Sequence, residues 1–97
     1  MTKSEIVSKI SNNLGLEKNE VLATIENLMT EIKDSLNNGE NVYLRGFGSF
    51  IIKEREKRIA INPSTKETFI LNKRFVPFFK VSKLLKEYVN KSIIRGF

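Results

Sequence analysis

The residues with the most chemistry to offer lie between positions 53 and 74, where many cations, an asparagine and a proline occur close together. Lysine and arginine can neutralise anionic groups, and asparagine can both donate and accept hydrogen bonds. Pro63, directly after Asn62, predicts a rigid turn, because proline fixes its own φ angle. The chain contains no histidine and no cysteine. Since catalysis and zinc binding usually depend on such groups, we expect no enzyme, no metal site and no cofactor.

Charge is distributed unevenly along the chain. Residues 1–40 carry four basic and seven acidic side chains, a net charge of −3, whereas residues 41–97 carry 13 basic and four acidic ones, a net charge of +9. Such asymmetry indicates a polyanionic partner. Nucleic acid is the favoured candidate, and membranes and acidic proteins are the alternatives for a basic domain.

The apolar content is high for a chain of 97 residues, because 40% of them are hydrophobic and seven are phenylalanines. A chain this short fits one domain and buries a modest fraction of its surface. A partner subunit would cover the excess, and dimers are the commonest assembly. The polar start, residues 1–9, has no signal-peptide core, and no stretch is long enough to span a membrane. We therefore expect a soluble, intracellular dimer.

Two helices are predicted in the first 38 residues. Thr2 and Glu5 form a capping box for the first helix, and Gly15 suits its C-terminal cap. A second apolar stripe with helical spacing runs from Val21 to Leu36, and residues 37–39 end it. The two helices would form a hairpin whose single apolar face packs into the core.

Beyond Gly39 the pattern becomes that of β-structure. Residues 42–44 alternate as in a strand, residues 46–48 suit a tight reversal, and residues 49–52 resume a β run. Residues 53–74 predict a long, largely polar hairpin that leaves the globular body. Such a ribbon is marginally stable alone in water, so we expect it to be mobile until something holds it.

The last part of the chain returns to the body. Pro77 predicts an edge or a bend in its strand, and the neighbouring phenylalanines are expected to pack the dimer core. Ser82 is expected to cap a final helix. The predicted organisation is a single domain, with a helical base at about 2–38, a sheet and arm at about 41–80, and a C-terminal helix and tail at about 82–97.

Three motifs, in this order, resemble those of the HU / integration host factor family of bacterial DNA-bending proteins. Residues 46–50 are similar to its Gly-Phe-Gly-Thr/Ser-Phe signature, residues 62–65 look like its Asn-Pro-x-Thr arm tip, and residues 76–80 look like its Val-Pro-x-Phe-Lys segment. The resemblance is collinear over residues 1–90. It implies an α+β fold, namely an HU-like intertwined dimer with a helical base, a β-saddle and two extended β-hairpin arms.

The resemblance also implies residue roles. The arms would enter the minor groove of double-stranded DNA, with Pro63 wedged between base pairs so that the duplex kinks. Further arm contacts would come from Arg55, Arg58, Ile61, Asn62, Lys66, Lys73 and Arg74. Phosphate contacts on the body would come from Lys3, Lys18, Gly46, Gly48, Lys80, Lys83 and Lys86. The implied location is the cytoplasm, associated with the nucleoid, with no membrane or small-molecule partner.

The arm tip departs from the family's usual Gly-Arg-Asn-Pro-x-Thr-Gly pattern. Ile61 replaces the arginine, which removes a minor-groove cation. Lys66 replaces the second glycine and would be strained if that position needs a positive φ. We hypothesise that Lys66 restores the lost charge from across the hairpin. Ser82 also stands where the family often has glycine, but serine is an acceptable cap, so little effect is expected.

The expected function is architectural, histone-like DNA binding and bending, mainly without sequence specificity. A sequence-preferring bender of the integration host factor type is the alternative, with DNA deformability supplying the preference. RNA binding and a dimeric scaffold that binds no DNA also stay open, although a scaffold would not need the cationic ribbon. A homodimer is favoured, and a heterodimer with a paralogue is the alternative. The tail, residues 92–97, either packs on the dimer or is disordered.

Overall fold

The computed structural model describes residues 1–94, in which two helices, five strands and a third helix follow one another as an α+β fold. The helices are α1 (Lys3–Leu14), α2 (Lys18–Asn37) and α3 (Lys83–Ile94). The strands are β1 (Val42–Leu44), β2 (Gly48–Arg55), β3 (Arg58–Ile61), β4 (Thr68–Leu71) and β5 (Arg74–Val81). The predicted α+β class is confirmed. Residues 92–94 belong to α3, and the rest of the tail discussed above lies outside the described residues.

The helical hairpin begins and ends at the residues that the sequence predicts. Thr2 caps α1, because its hydroxyl oxygen accepts a hydrogen bond from the backbone N–H of Glu5 at 3.3 Å. Gly15 closes α1 in the left-handed conformation, with φ 67°. Helices α1 and α2 then pack against each other around Val7 and Val21, the buried apolar side chains of the described chain.

The strands form two antiparallel sheets that share one register. A three-stranded sheet has the order β1-β2-β5, and β3 pairs with β4. Arg55 lies opposite Arg74 at the end of the first sheet, and Arg58 lies opposite Leu71 at the start of the second. Two residues separate these pairs on each strand of the hairpin, residues 56–57 on one and residues 72–73 on the other. The register is therefore the same in both sheets, and together they form one continuous ribbon. We call residues 55–74 the arm, and their course confirms the predicted long hairpin.

Pro77 lies in β5, which is an edge strand of the three-stranded sheet within this chain, as predicted. It faces Ile52 of β2 in the ladder. An edge tolerates proline because the missing N–H need not serve a second neighbouring strand.

Much of the apolar surface stays uncovered in the single chain. An open groove of about 690 Å³ separates α2 from the sheet and is lined mainly by apolar residues, among them Met29, Ile32, Leu36, Phe50, Ile52 and Pro77. Phe75 beside it is 66% exposed, and Phe78 is 43% exposed. The radius of gyration is 19.1 Å, against about 13 Å for a compact domain of this length. A single chain is therefore extended, and its apolar faces are open to solvent. A partner subunit would cover those faces. No helix within residues 1–94 combines the length and the apolar character needed to cross a membrane.

Candidate nucleic-acid interface

A cationic cleft of about 470 Å³ lies where the turn between β1 and β2 meets the start of α3. Four of the predicted phosphate contacts line it, namely Gly46, Gly48, Lys80 and Lys83. Arg45 and Ser82 line it as well, and we call this site the body cleft. Arg45 was missed by the sequence reasoning, although its position directly before the glycine signature could have indicated it.

The backbone around the body cleft is tightly constrained. Gly46 has φ 81°, a conformation that strains any residue with a Cβ atom. Gly48 is buried, and a Cβ built there would lie 2.7 Å from the carbonyl oxygen of Lys80 and closer still to the ring of Phe79. The turn therefore requires glycine at both positions for different reasons.

Ser82 joins the turn to helix α3. Its N–H donates to the carbonyl of Phe47 at 2.9 Å, and its hydroxyl donates to the carbonyl of Gly46 at 3.0 Å. The same hydroxyl oxygen accepts from the N–H of Leu85 at 3.1 Å, which confirms the predicted helix cap. These three bonds fix the N-terminus of α3 against the glycine turn.

The body cleft is suited to an anion. Aligned peptide dipoles leave partial positive charge at the N-terminus of α3, and Arg45, Lys80 and Lys83 add full charges beside it. Lys83 lies 4.0 Å from Glu87, but its side chain is 87% exposed, so that exposed ion pair contributes little and leaves the ammonium group able to reach a ligand. Phosphate groups bind readily at such helix ends.

A second cationic cleft, of about 490 Å³, lies at the base of the arm, where strand pairing is interrupted. It brings together Arg55, Arg58 and Arg74, three of the predicted arm contacts, with Lys57 and Glu56. Lys57 was missed, although it belongs to the same charged run. Arg55 and Arg74 are direct cross-strand partners, and like charges in that position destabilise a sheet. A polyanion at this cleft would relieve that repulsion.

The arm tip is a turn built by Asn62. Its side-chain oxygen accepts hydrogen bonds from the N–H groups of Ser64 at 2.9 Å and Thr65 at 3.4 Å. Its backbone carbonyl accepts from Lys66, and this leaves the side-chain NH₂ as the group that can donate to a ligand. Pro63 lies exposed at the apex. Lys66 has φ 59°, so the strain anticipated for lysine at this position is present.

The structure does not bring every predicted contact into these clefts. Lys73 is ion-paired with Glu54 at 2.5 Å, and Lys3 is ion-paired with Glu26 at 3.0 Å. Lys18 begins α2, and Lys86 lies three residues beyond Lys83 on α3. Lys3, Lys18 and Lys86 line neither cleft. All of the predicted DNA contacts, those that line the clefts and those that do not, stay predictions.

The matches to known proteins cover almost the whole of this chain. The family model described as bacterial DNA-binding protein matches residues 1–90. Integration host factor subunit beta of Colwellia psychrerythraea is 40% identical over 94 residues, which are 96% of this chain and 99% of that protein. DNA-binding protein HU of Thermus thermophilus is 35% identical over 91 residues and is matched over 94% of both chains.

Solved structures of HU proteins resemble this chain, in agreement with the relatives found by sequence. The Anabaena HU–DNA cocrystal structure matches with a TM-score of 0.85 at 32% identity, over 92% of this chain and 97% of that HU chain. HU from Thermotoga maritima matches with a TM-score of 0.67 at 28% identity, over 92% of this chain and 98% of its own. The predicted HU-like fold is confirmed, and the chain belongs to the HU and integration host factor family of bacterial DNA-binding proteins, which are architectural and not enzymes.

Proposed function

We propose that the chain binds duplex DNA as a homodimer, inserts Pro63 from each arm into the minor groove, and bends the duplex mainly without reading its sequence. The arm is the observation that carries this proposal. It is a two-stranded ribbon in one register, with a cluster of cations at its base and an exposed proline at its apex. The similarity to the Anabaena HU–DNA cocrystal structure supports DNA as the partner.

The body cleft and the arm base supply the electrostatic part of binding. The cations of the two clefts would displace counterions from DNA phosphates, which gives affinity that falls with added salt and carries no sequence information. Arg55 and Arg74 in particular gain from this, since their mutual repulsion is neutralised. The result is a protein that holds many duplexes with similar affinity.

The arm tip supplies the deformation. Pro63 is rigid and lacks an N–H, and the hydrogen bonds of Asn62 hold the turn that presents it. An apolar wedge between two base pairs partly unstacks them, which costs roughly a few kcal/mol of free energy. The bend that follows brings flanking DNA toward the cations of the body, and those contacts offset the cost.

The uncovered apolar surface of one chain supports a dimer, and a second copy of this chain is the simplest partner. The groove beside α2 and the exposed phenylalanines of β5 need a partner, and proteins of this family form dimers. Two chains would carry two arms and so embrace the duplex from both sides. A heterodimer with a paralogue is the alternative assembly. The location that suits this function is the cytoplasm, in the nucleoid.

The second candidate function is that of a DNA bender with sequence preference. The 40% identity with integration host factor subunit beta favours a bender that prefers deformable sites, whereas the match to HU favours a general binder. Affinity for random and defined-site duplexes over a salt series separates the two. A general binder shows similar affinities, and a preference that survives at high salt indicates the second function.

The wedge is tested by measuring the DNA bend angle with fluorescence energy transfer between duplex ends. Pro63→Ala should reduce the bend while phosphate binding at low salt is retained, because alanine cannot fill the opened base step. Pro77→Ala removes the other proline of the chain, which lies in the sheet, and is the matched control. Because Pro77 lines the groove beside α2, the dimer content of both variants is measured in parallel. A Pro63→Ala protein that bends DNA as well as the wild type contradicts the wedge. Equal affinity for duplex RNA would favour the RNA alternative.

A further inference from the structure

The outer half of the arm presents a face of isoleucines. In the β3–β4 ladder Ile59 lies opposite Ile70, and Ile61 lies opposite Thr68. Cross-strand partners point to the same side of a ribbon, and alternate residues of a strand do so too. Ile59, Ile61 and Ile70 therefore share one side, which we call the isoleucine face.

The isoleucine face is the more exposed side of the ribbon. Its three side chains are 74%, 65% and 59% exposed, in chain order. The opposite side carries Ala60 and Leu71, which are half-buried, Phe69, which is 46% exposed, and Arg58, which is exposed. Branched side chains stiffen a strand wherever they point, but threonine or valine would do this with less apolar exposure. Three isoleucines side by side on one exposed face form an apolar patch, and such a patch favours a partner surface.

The position of the isoleucine face indicates which surface that is. It lies between the arginine cleft at the base of the arm and Pro63 at the apex, and Ile59 is about 13 Å from Pro63 along an extended strand. Both ends of this stretch are DNA contacts in the proposed function. A ribbon that touches DNA at both ends lies along the duplex between them, and Pro63 is proposed to enter the minor groove, so the stretch beside it lies in that groove.

We infer that the isoleucine face packs against the deoxyribose walls of the DNA minor groove. This inference rests on the proposed function, because it needs the arm to lie in that groove. The sugars present C–H groups, so their contact with isoleucine removes apolar surface from water on both sides. Such burial releases no counterions. An arginine, which the family's pattern has at position 61, would release them on binding. The arm tip therefore holds DNA by apolar contact where relatives with that pattern place a charge.

Substitutions to threonine test the contact while keeping the branched shape of the side chain. The Ile61→Thr/Ile70→Thr protein should bind duplex DNA about tenfold more weakly at every salt concentration, because apolar burial is lost. The slope of log affinity against log salt should stay that of the wild type, because no cation has been removed. Ile61→Val/Ile70→Val should recover most of the affinity.

Phe69→Thr is the matched control for this experiment. It exchanges an apolar side chain for threonine on the opposite side of the same ribbon, next to Ile70. We expect it to change affinity by less than about twofold, since the inference places only the isoleucine face, and not Phe69, against the sugars. Amide hydrogen exchange at Asn62, whose N–H donates to Glu67 at 2.9 Å, reports whether the ribbon stays formed in each variant.

Inosine duplexes supply a second measurement. Inosine lacks the guanine amino group that projects into the minor groove, and it keeps the major-groove edge unchanged. An isoleucine packed on the sugars beside that amino group excludes water and offers no acceptor, so the donor is left unsatisfied, whereas a threonine hydroxyl can accept from it. The wild type should therefore prefer inosine over guanine more strongly than the threonine variant does.

Three outcomes overturn the inference. They are wild-type affinity in the threonine variant, an equal loss in Phe69→Thr, and an inosine preference that is the same in wild type and variant. Each can occur in a protein that still binds DNA and loses its bend with Pro63→Ala. The failure of this inference is thus distinct from the failure of the proposed function, which would appear as a wild type that does not bind duplex DNA.

Discussion

The body cleft and the arm are both cationic, but different forces hold them in place. At the body cleft Gly48 is buried, and the ring of Phe79 packs against Phe47 and Phe50 at centroid distances of 5.7 and 4.9 Å. Three hydrogen bonds of Ser82 tie this turn to α3. In the arm, by contrast, no residue from 55 to 74 is buried. Cross-strand pairing and the turn around Asn62 hold the ribbon together.

This difference assigns the two regions different tasks. Segments with few buried contacts open locally at small free-energy cost, whereas packed segments open only with the whole domain. The body cleft can therefore hold a phosphate at a fixed position. In the proposed function the arm can follow a groove whose width changes as the DNA bends, and it would gain its full order from the DNA.

The largest effect is expected at Gly48, where the body turn is most tightly packed. Gly48→Ala should lower the free energy of unfolding by about 3 kcal/mol, because the added methyl group collides with Phe79 and with the backbone of Lys80. Urea denaturation measured at fixed protein concentration gives this value, since the stability of a dimer depends on concentration.

Gly46→Ala is the control for that measurement. An alanine there meets no atom within 4 Å, so its cost is only the backbone strain at φ 81°, about 1 kcal/mol. Equal losses for the two substitutions would show that close packing at Gly48 contributes nothing beyond backbone conformation.

A smaller effect is expected at the junction between the turn and α3. Ser82→Ala removes the helix cap and the bond to the carbonyl of Gly46, and it should cost about 1–2 kcal/mol in the same assay. Ser82→Thr retains a hydroxyl and should recover most of that loss. If alanine is tolerated with no change, the hydroxyl does not fix α3 against the body cleft.

The features that the sequence predicts well depend on residues close together in the chain. The caps at Thr2 and Ser82 join groups three residues apart, and the turn around Asn62 is equally local. For such features residue type and spacing suffice. The two clefts draw on residues far apart in sequence, and here the family resemblance supplied Lys80 and Lys83 while Arg45 and Lys57 were missed.

Features that depend on strand register could not be read from the sequence. A slip of one residue moves every side chain to the other side of a ribbon. The isoleucine face, the Arg55–Arg74 pair and the Lys73–Glu54 ion pair all depend on that register, so none of them was anticipated. Lys66 was predictable in part. The family pattern indicates that its position departs from glycine, but only the structure gives its φ angle.

The smallest effect is expected at Lys66, in the arm. Lys66→Gly should stabilise the tip locally by about 1 kcal/mol relative to Lys66→Ala, because glycine adopts φ 59° without a Cβ penalty. Amide hydrogen exchange at Asn62 and Lys66, whose N–H groups close the turn, measures this opening directly. Both substitutions remove the same charge, so the difference between them isolates the backbone strain. Their common effect on DNA binding tests whether Lys66 replaces the missing arginine: a salt slope unchanged from wild type in both would contradict that hypothesis, whereas equal exchange rates would show that no strain is stored at the tip.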